Sequence, residues 1–357
     1  MIHKPGRSTT TGAALPASLV LSCGLLVGAI FAQAPKITVE VKTVSVLATV
    51  RDKHGKIVSD LTKDAFQLEE DGKPQSIDYF AHESDLPLQL GLLVDTSLSQ
   101  RRVLEQERSA SYRFLDKLLR PEKDLAAVIN FDRDITLQQD FTSSRPRLQA
   151  AFQHLETPQT DWRASQGTRQ RGAGHDRGGG GTHLYDAIYL ASDELMSKQR
   201  GRKALIILSD GVDHGSKETL TEAIESAQRA DTVVYSILFA DEQAYGNYHG
   251  YGTGSYGGGH GGHYPRQEHP DGKKVLETIS NLTGGRLFQV SKKETVDNIY
   301  AEIDTELRNQ YSLGYSPAKD LAAGYHKIHL TTNNKDLKVQ ARDGYYSGPP
   351  ASSSAAR

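Results

Sequence analysis

Gly91-Leu92-Leu93-Val94-Asp95-Thr96-Ser97-Leu98-Ser99 is the stretch on which the fold turns. Its apolar half reads as a strand buried on both faces, and beyond the strand's carboxyl end an aspartate and two hydroxyls stand at alternate positions. There the chain can turn and aim Asp95, Ser97 and Ser99 at one point. The layout recurs in Leu205-Ile206-Ile207-Leu208-Ser209-Asp210-Gly211, where Asp210 leaves a second apolar strand. Gly180-Gly181-Thr182 opens the helical stretch before that strand and adds a third hydroxyl. In open α/β sheets, ligands sit outside the carboxyl ends of adjacent strands where the winding reverses. Two carboxylates and three hydroxyls there make a hard, all-oxygen donor set suited to Mg²⁺ or Mn²⁺.

Outward from these strands, apolar segments alternate with amphipathic helical ones. The strands read 88–94, 125–131, 135–141, 204–208, 233–239 and 286–290, and the helices 103–119, 147–155, 184–196, 217–229, 273–282 and 296–308. This grammar predicts a doubly wound, mostly parallel six-stranded sheet with helices on both faces, a Rossmann-like α/β fold. The three-residue link Asp132-Arg133-Asp134 is too short for a crossover, so 125–131 and 135–141 form a hairpin and one edge strand runs antiparallel.

The flanks are β-like. Val44, Val46, Ala48 and Val50 alternate with other residues, and Glu70-Asp71-Gly72-Lys73 carries the Asp-Gly pair of a tight hairpin. Short strands return at 311–315, 325–331 and 337–346. Neither flank alone can bury a core, so 35–84 and 311–347 are expected to pair into one small β-domain around a central domain at 85–310. Two inserts, 157–181 and 241–269, are rich in Gly, Arg, Tyr and His and read as mobile loops, and 348–357 reads as a disordered tail.

The amino end has its own grammar. His3, Lys4 and Arg7 precede an acid-free apolar run from Ala13 to Ala32, followed by Ala32-Gln33-Ala34. Residues 1–34 read as an export signal, cut after Ala34 or Ala32 or retained as an anchor, with no membrane insertion of the chain after cleavage. Cys23, the sole cysteine, lies inside that run, so a cleaved chain has no thiol chemistry or disulfide. Lys and Arg total 42 against 44 Asp and Glu, which gives no electrostatic reason to bind nucleic acid.

The Asp-x-Ser-x-Ser loop after a buried strand, the run Gly-Gly-Thr-x-Leu-Tyr-Asp-Ala at 180–187, and the strand ending in Ser209-Asp210-Gly211 resemble the von Willebrand factor A domain family over roughly 86–310. The resemblance implies a metal-ion-dependent adhesion site in which Ser97, Ser99 and Thr182 touch the ion while Asp95 and Asp210 hold it directly or through water. Taken with the export signal at 1–34, it implies an exported protein, periplasmic, cell-surface or secreted, that captures a protein partner through an Asp or Glu carboxylate. The flanking Val50-Arg51-Asp52-Lys53-His54-Gly55, Glu70-Asp71-Gly72-Lys73 and Ala341-Arg342-Asp343-Gly344-Tyr345-Tyr346 are similar to a narrower group, the secreted bacterial proteins of this family of the acidobacterial type.

Two other readings compete. One is a structural or assembly role in the cell envelope without a metal switch, and the other is a hydrolase using the metal to activate water. Catalytic patterns are absent: Gly167 to Gly172 has a phosphate-loop gap, but Ala173 stands where lysine is needed. No enzyme activity is therefore expected. His249, His260 and His263 read as part of a solvated loop, and Asp186 and Asp213 as caps rather than ligands. Oligomeric state has no sequence signature here.

Overall fold

The computed structural model describes residues 43–82, 86–157, 181–239, 271–318 and 322–348. The export segment, Cys23, most of both inserts and most of the C-terminal tail lie outside the described residues.

The amino-terminal flank supplies β1 (Val44–Arg51), β2 (Phe66–Glu70), β3 (Lys73–Gln75) and β4 (Tyr79–His82). The central portion supplies β5 (Leu88–Asp95), β6 (Leu125–Phe131), β7 (Ile135–Thr142), β8 (Arg202–Ser209), β9 (Thr232–Leu238) and β10 (Leu287–Gln289). The carboxyl flank supplies β11 (Tyr311–Tyr315), β12 (Gly324–Thr332), β13 (Lys338–Ala341) and β14 (Gly344–Ser347). The helices are α1 (Leu104–Leu118), α2 (Arg145–Gln153), α3 (Leu184–Leu190, continued by a π turn over Ala191–Leu195), α4 (Leu220–Arg229), α5 (Gly272–Thr283) and α6 (Val296–Arg308).

The central sheet has the order β10-β9-β8-β5-β6-β7. All its pairings are parallel except β6 with the edge strand β7, the hairpin that the three-residue link requires. Every residue of β5 is buried, because helices cover both faces. Leu88, Leu90, Leu92 and Val94 point into a core shared with α1, α2 and α6, whereas Leu93 points into one shared with α3, α4 and α5. The period of two along the strand feeds both layers.

The flanks form a sandwich of two antiparallel sheets, β13-β1-β11-β4 and β14-β12-β2-β3. Val46, Val50, Phe66, Leu68, Tyr311, Leu313, Ile328 and Tyr345 fill the space between them. The 337–346 segment, read above as one strand, is divided at Arg342-Asp343: β13 pairs with β1 in one sheet and β14 with β12 in the other. Gly344 permits the crossing, since a Cβ there would lie 2.4 Å from the ring of Tyr325. The helix expected from Lys217 begins instead at Leu220, where the Thr219 hydroxyl and Glu222 form a capping box.

Candidate metal centre

β5 and β8 are parallel neighbours with Val94 opposite Leu208, so Asp95 and Ser209-Asp210 leave the sheet side by side. The chain passes from β5 to β6 on one side and comes back to β8 on the other, which makes this gap the point where the winding reverses. Asp95 is fully buried. Its Oδ1 accepts the Ser97 backbone N–H at 2.9 Å, a local turn that swings the chain out of the sheet, and its Oδ2 accepts the Ser209 hydroxyl at 2.7 Å. The hydroxyls of Ser97 and Ser99 lie 2.9 Å apart, the first buried and the second exposed.

Asp210 is buried and caps its own loop, Oδ1 accepting the Val212 N–H at 3.0 Å. Gly211 follows at φ 79°, where a Cβ would lie 2.2 Å from the carbonyl of Gly272. Glycine is therefore required by both conformation and space, and the crossing fixes the loop that carries Asp210. Thr182 is tied in through its backbone: its N–H donates to the His214 carbonyl at 3.1 Å and its carbonyl accepts the His214 N–H at 2.7 Å. The loops after β5, before α3 and after β8 thus meet at one edge of the sheet.

The electrostatics of this edge are those of crowded acids. Burial, and after it the charge of Asp210, pushes the Asp95 carboxyl up to about 7, although hydrogen bonds from Ser97 and Ser209 pull the other way. Glu107, on the first turn of α1, is fully buried and neither carboxylate oxygen has a hydrogen-bond partner. Its pKa is raised well above the usual range by burial, then by Asp95 and Asp210. Hydroxyl and carboxylate oxygens beside mutually repelling buried acids fit a hard divalent cation, whose charge would relieve the repulsion. Among the described residues no cluster of three or more His, Cys, Asp or Glu side chains is suited to one ion, so such a site depends on its hydroxyls as well.

Sequence reasoning gave no role to the Ser209 side chain or to Glu107. The signal for Glu107 was present: it falls in the buried stripe of α1 with Leu104, Ser111, Phe114 and Leu118, where an acid is out of place. Asp213 accepts from the Tyr185 N–H and the Ser216 hydroxyl, and Asp186 from the N–H groups of Lys217 and Glu218, so both serve as caps.

The fold and this edge define a doubly wound α/β domain with a carboxylate and hydroxyl centre at its switch point. Residues 90–212 match the family described as von Willebrand factor type A domain, and this part of the chain is a domain of that family. No curated protein matches. Among solved structures, BatB from Bacteroides thetaiotaomicron is 18% identical with a TM-score of 0.39, over 62% of this chain and 97% of that one. The vWF domain of the type V pili tip protein Mfa5 from Porphyromonas gingivalis is 11% identical with a TM-score of 0.40, over 62% and 95%. Proximal thread matrix protein 1 from the mussel byssus, in a structure with a zinc-occupied site, is 15% identical with a TM-score of 0.43. That match covers 68% of this chain, which spans about half the length of the mussel protein (50%).

Proposed function

We propose that the protein is an exported, non-enzymatic binding module that captures a partner's Asp or Glu side chain through a Mg²⁺ or Mn²⁺ ion held by Asp95, Ser97, Ser99, Thr182 and Asp210. The observation that carries this reading is the pairing of two buried acids, Asp95 and Asp210, at the carboxyl ends of adjacent strands, where burial and the charge of Asp210 both oppose the ionisation of Asp95. A bound ion supplies a hard electrophile for an incoming carboxylate. Asp95 and Ser209 fix the floor of the site, and the buried Ser97 hydroxyl and exposed Ser99 hydroxyl lead from it to solvent. If the acids stand behind water, neutral hydroxyls leave the ion electron-poor, whereas direct ligation by Asp210 quenches it, and the choice between the two gives a two-state switch. Among the described residues no helix is long and apolar enough to cross a membrane.

Calorimetry tests the reading in order. Mg²⁺ should bind at one site, with Asp95→Ala and Asp210→Ala weakening it more than Thr182→Ala, because carboxylates supply the charge that offsets dehydration and water can replace one hydroxyl. Capture of partners from the native envelope in Mg²⁺ should then fail in EDTA. Equal capture in EDTA favours an assembly role independent of metal.

A further inference from the structure

At the opposite, amino-terminal end of the central sheet, a cavity of about 400 Å³ lies between the A domain and the sandwich. Its cations are Arg200, Arg202 and Lys203, from the turn into β8, and Arg342, from the bend between β13 and β14. Asp231 is the only carboxylate among the lining residues and already accepts from Arg342 Nη1 at 2.8 Å.

Two buried groups are left incomplete. Arg342 is 9% exposed; Nη1 also donates to the Gln228 carbonyl and Nη2 to the Ser45 carbonyl, but Nε has no hydrogen-bond partner. Gln228 Oε1, on the same wall, has none either. Both atoms are also closed to solvent, so what Arg342, held rigidly by three backbone and side-chain acceptors, offers the cavity is a fixed positive charge rather than a free donor. Lys203 adds a second charge: burial lowers its pKa, Asp231 opposes this and Arg342 adds to it, so an anion would be welcomed electrostatically. Leu47, Leu86 and Val233 add apolar surface among polar neighbours such as Gln199, Thr283 and Ser312, and the volume falls in the range of small-molecule sites, so the ligand has room for an organic body.

We propose that this cavity binds a small multivalent oxyanion of the phosphate-ester or polycarboxylate type, held between Arg342 and Lys203 and bridging the sandwich to the A domain. The site is remote from the metal-centre edge and stands whether or not that edge binds an ion. Ser45, Leu47, Ser312 and Arg342 come from the sandwich and the rest from the A domain side, so a bound anion stabilises their junction by mass action.

The test uses the full chain in EDTA, which makes chelation by citrate silent. Thermal unfolding and calorimetry are followed with citrate, glycerol phosphate and inorganic phosphate, against acetate and chloride at matched ionic strength. A saturable rise in melting temperature with at least one multivalent anion, absent for acetate and chloride, is expected, and the anion that binds most tightly distinguishes carboxylate from phosphate ligands. Lys203→Met should weaken that anion about tenfold and Lys203→Glu should abolish its binding. Should either variant unfold, hydrogen exchange on the unaltered chain decides: the anion should protect 228–233 and 340–343. Equal responses to all salts, undiminished affinity in folded Lys203→Met, or unchanged exchange would overturn the proposal.

Discussion

At Asp95, burial and the neighbouring Asp210 hold the carboxyl at about 7, against 3.8 for an ordinary aspartate. An acid that holds its proton more tightly when folded costs stability as that proton is lost. The metal-free protein should therefore lose on the order of 4 kcal/mol between about pH 4 and pH 7 from this group alone. Asp95→Asn should flatten that slope, and Mg²⁺ should flatten it in the parent chain by binding the ionised form. Urea unfolding at pH 5 and pH 8, with and without Mg²⁺, measures both effects; a Mg²⁺-independent slope would mean that no ion reaches Asp95. Glu107 lies in the same field with its oxygens unbonded. Replacing a buried, unpartnered acid by an apolar side chain of similar shape removes its desolvation cost. Glu107→Met is thus expected to stabilise the metal-free protein by about 1 to 3 kcal/mol at pH 8 while weakening Mg²⁺, and an equilibrium unfolding curve beside a Mg²⁺ titration reads the opposed effects.

Among the elements, the β2–β3 hairpin has the clearest local logic. Asp71 and Gly72 adopt φ of 49° and 77°, the two left-handed positions of the turn that the Asp-Gly pair predicts. Asp71 then reaches the next strand: Oδ1 accepts the Lys327 N–H at 2.9 Å and Oδ2 lies 2.8 Å from Nδ1 of His326. The other ring nitrogen faces the Ala322 carbonyl at 2.8 Å, so the imidazole is arranged as a double donor. Burial lowers the His326 pKa, but Asp71 and the Ala322 carbonyl outweigh it and the net shift is upward. The hydrogen bond from His326, then the Lys327 amide, lowers that of Asp71. The histidine term is fully present below about 6.5 and fades as pH rises through its folded value; the aspartate term is present above about 3.8 and fades below. His326→Gln should remove the loss of stability above pH 6.5 that belongs to this hairpin, seen as a flatter hydrogen-exchange profile for 66–75. An unchanged profile would mean that the imidazole is neutral throughout.

The same elements show what the sequence made legible. The apolar runs at 90–94 and 204–208 marked β5 and β8 because covered parallel strands need no polar face, and a three-residue link left the β6–β7 pair no alternative to a hairpin. Asp95, Ser97, Ser99 and Asp210 were legible because each closes or follows such a strand. The division of 337–346 between two sheets was hidden: Val339, Ala341 and Tyr345 keep the alternation of one strand, and only the fold reveals the bend at Arg342. Glu107 was hidden differently, since its helix stripe is visible but the acids it faces come from strands far away in sequence. The cavity cations were invisible for the same reason, being gathered from both sides of the domain junction.

On the scale of the whole molecule, β4 and β11 are antiparallel partners, yet the entire A domain lies between them in sequence. The sandwich therefore closes only when the chain returns from α6, and Arg51 on β1 meets buried Glu306 on α6 at the junction, with Arg286 2.7 Å from the same carboxylate. Removing 320–357 deletes β12, β13 and β14. One sheet then keeps only the β2–β3 hairpin, β1 loses one of its two partners, and the core loses Ile328, Leu330 and Tyr345. A lone two-stranded hairpin is marginal in water, so this loss cannot be absorbed locally. Amide exchange across 44–51 and 66–70 should accelerate at least about tenfold, the effect of losing little more than 1.4 kcal/mol of local protection. The A domain has its own two cores, neither of which contains residues from 320 onward. Exchange in β5, β6 and β8 should therefore change far less than exchange in β1 and β2. If all of these strands lost protection together, the sandwich and the A domain would be one cooperative unit, and the junction around Glu306 would be as integral to folding as either core.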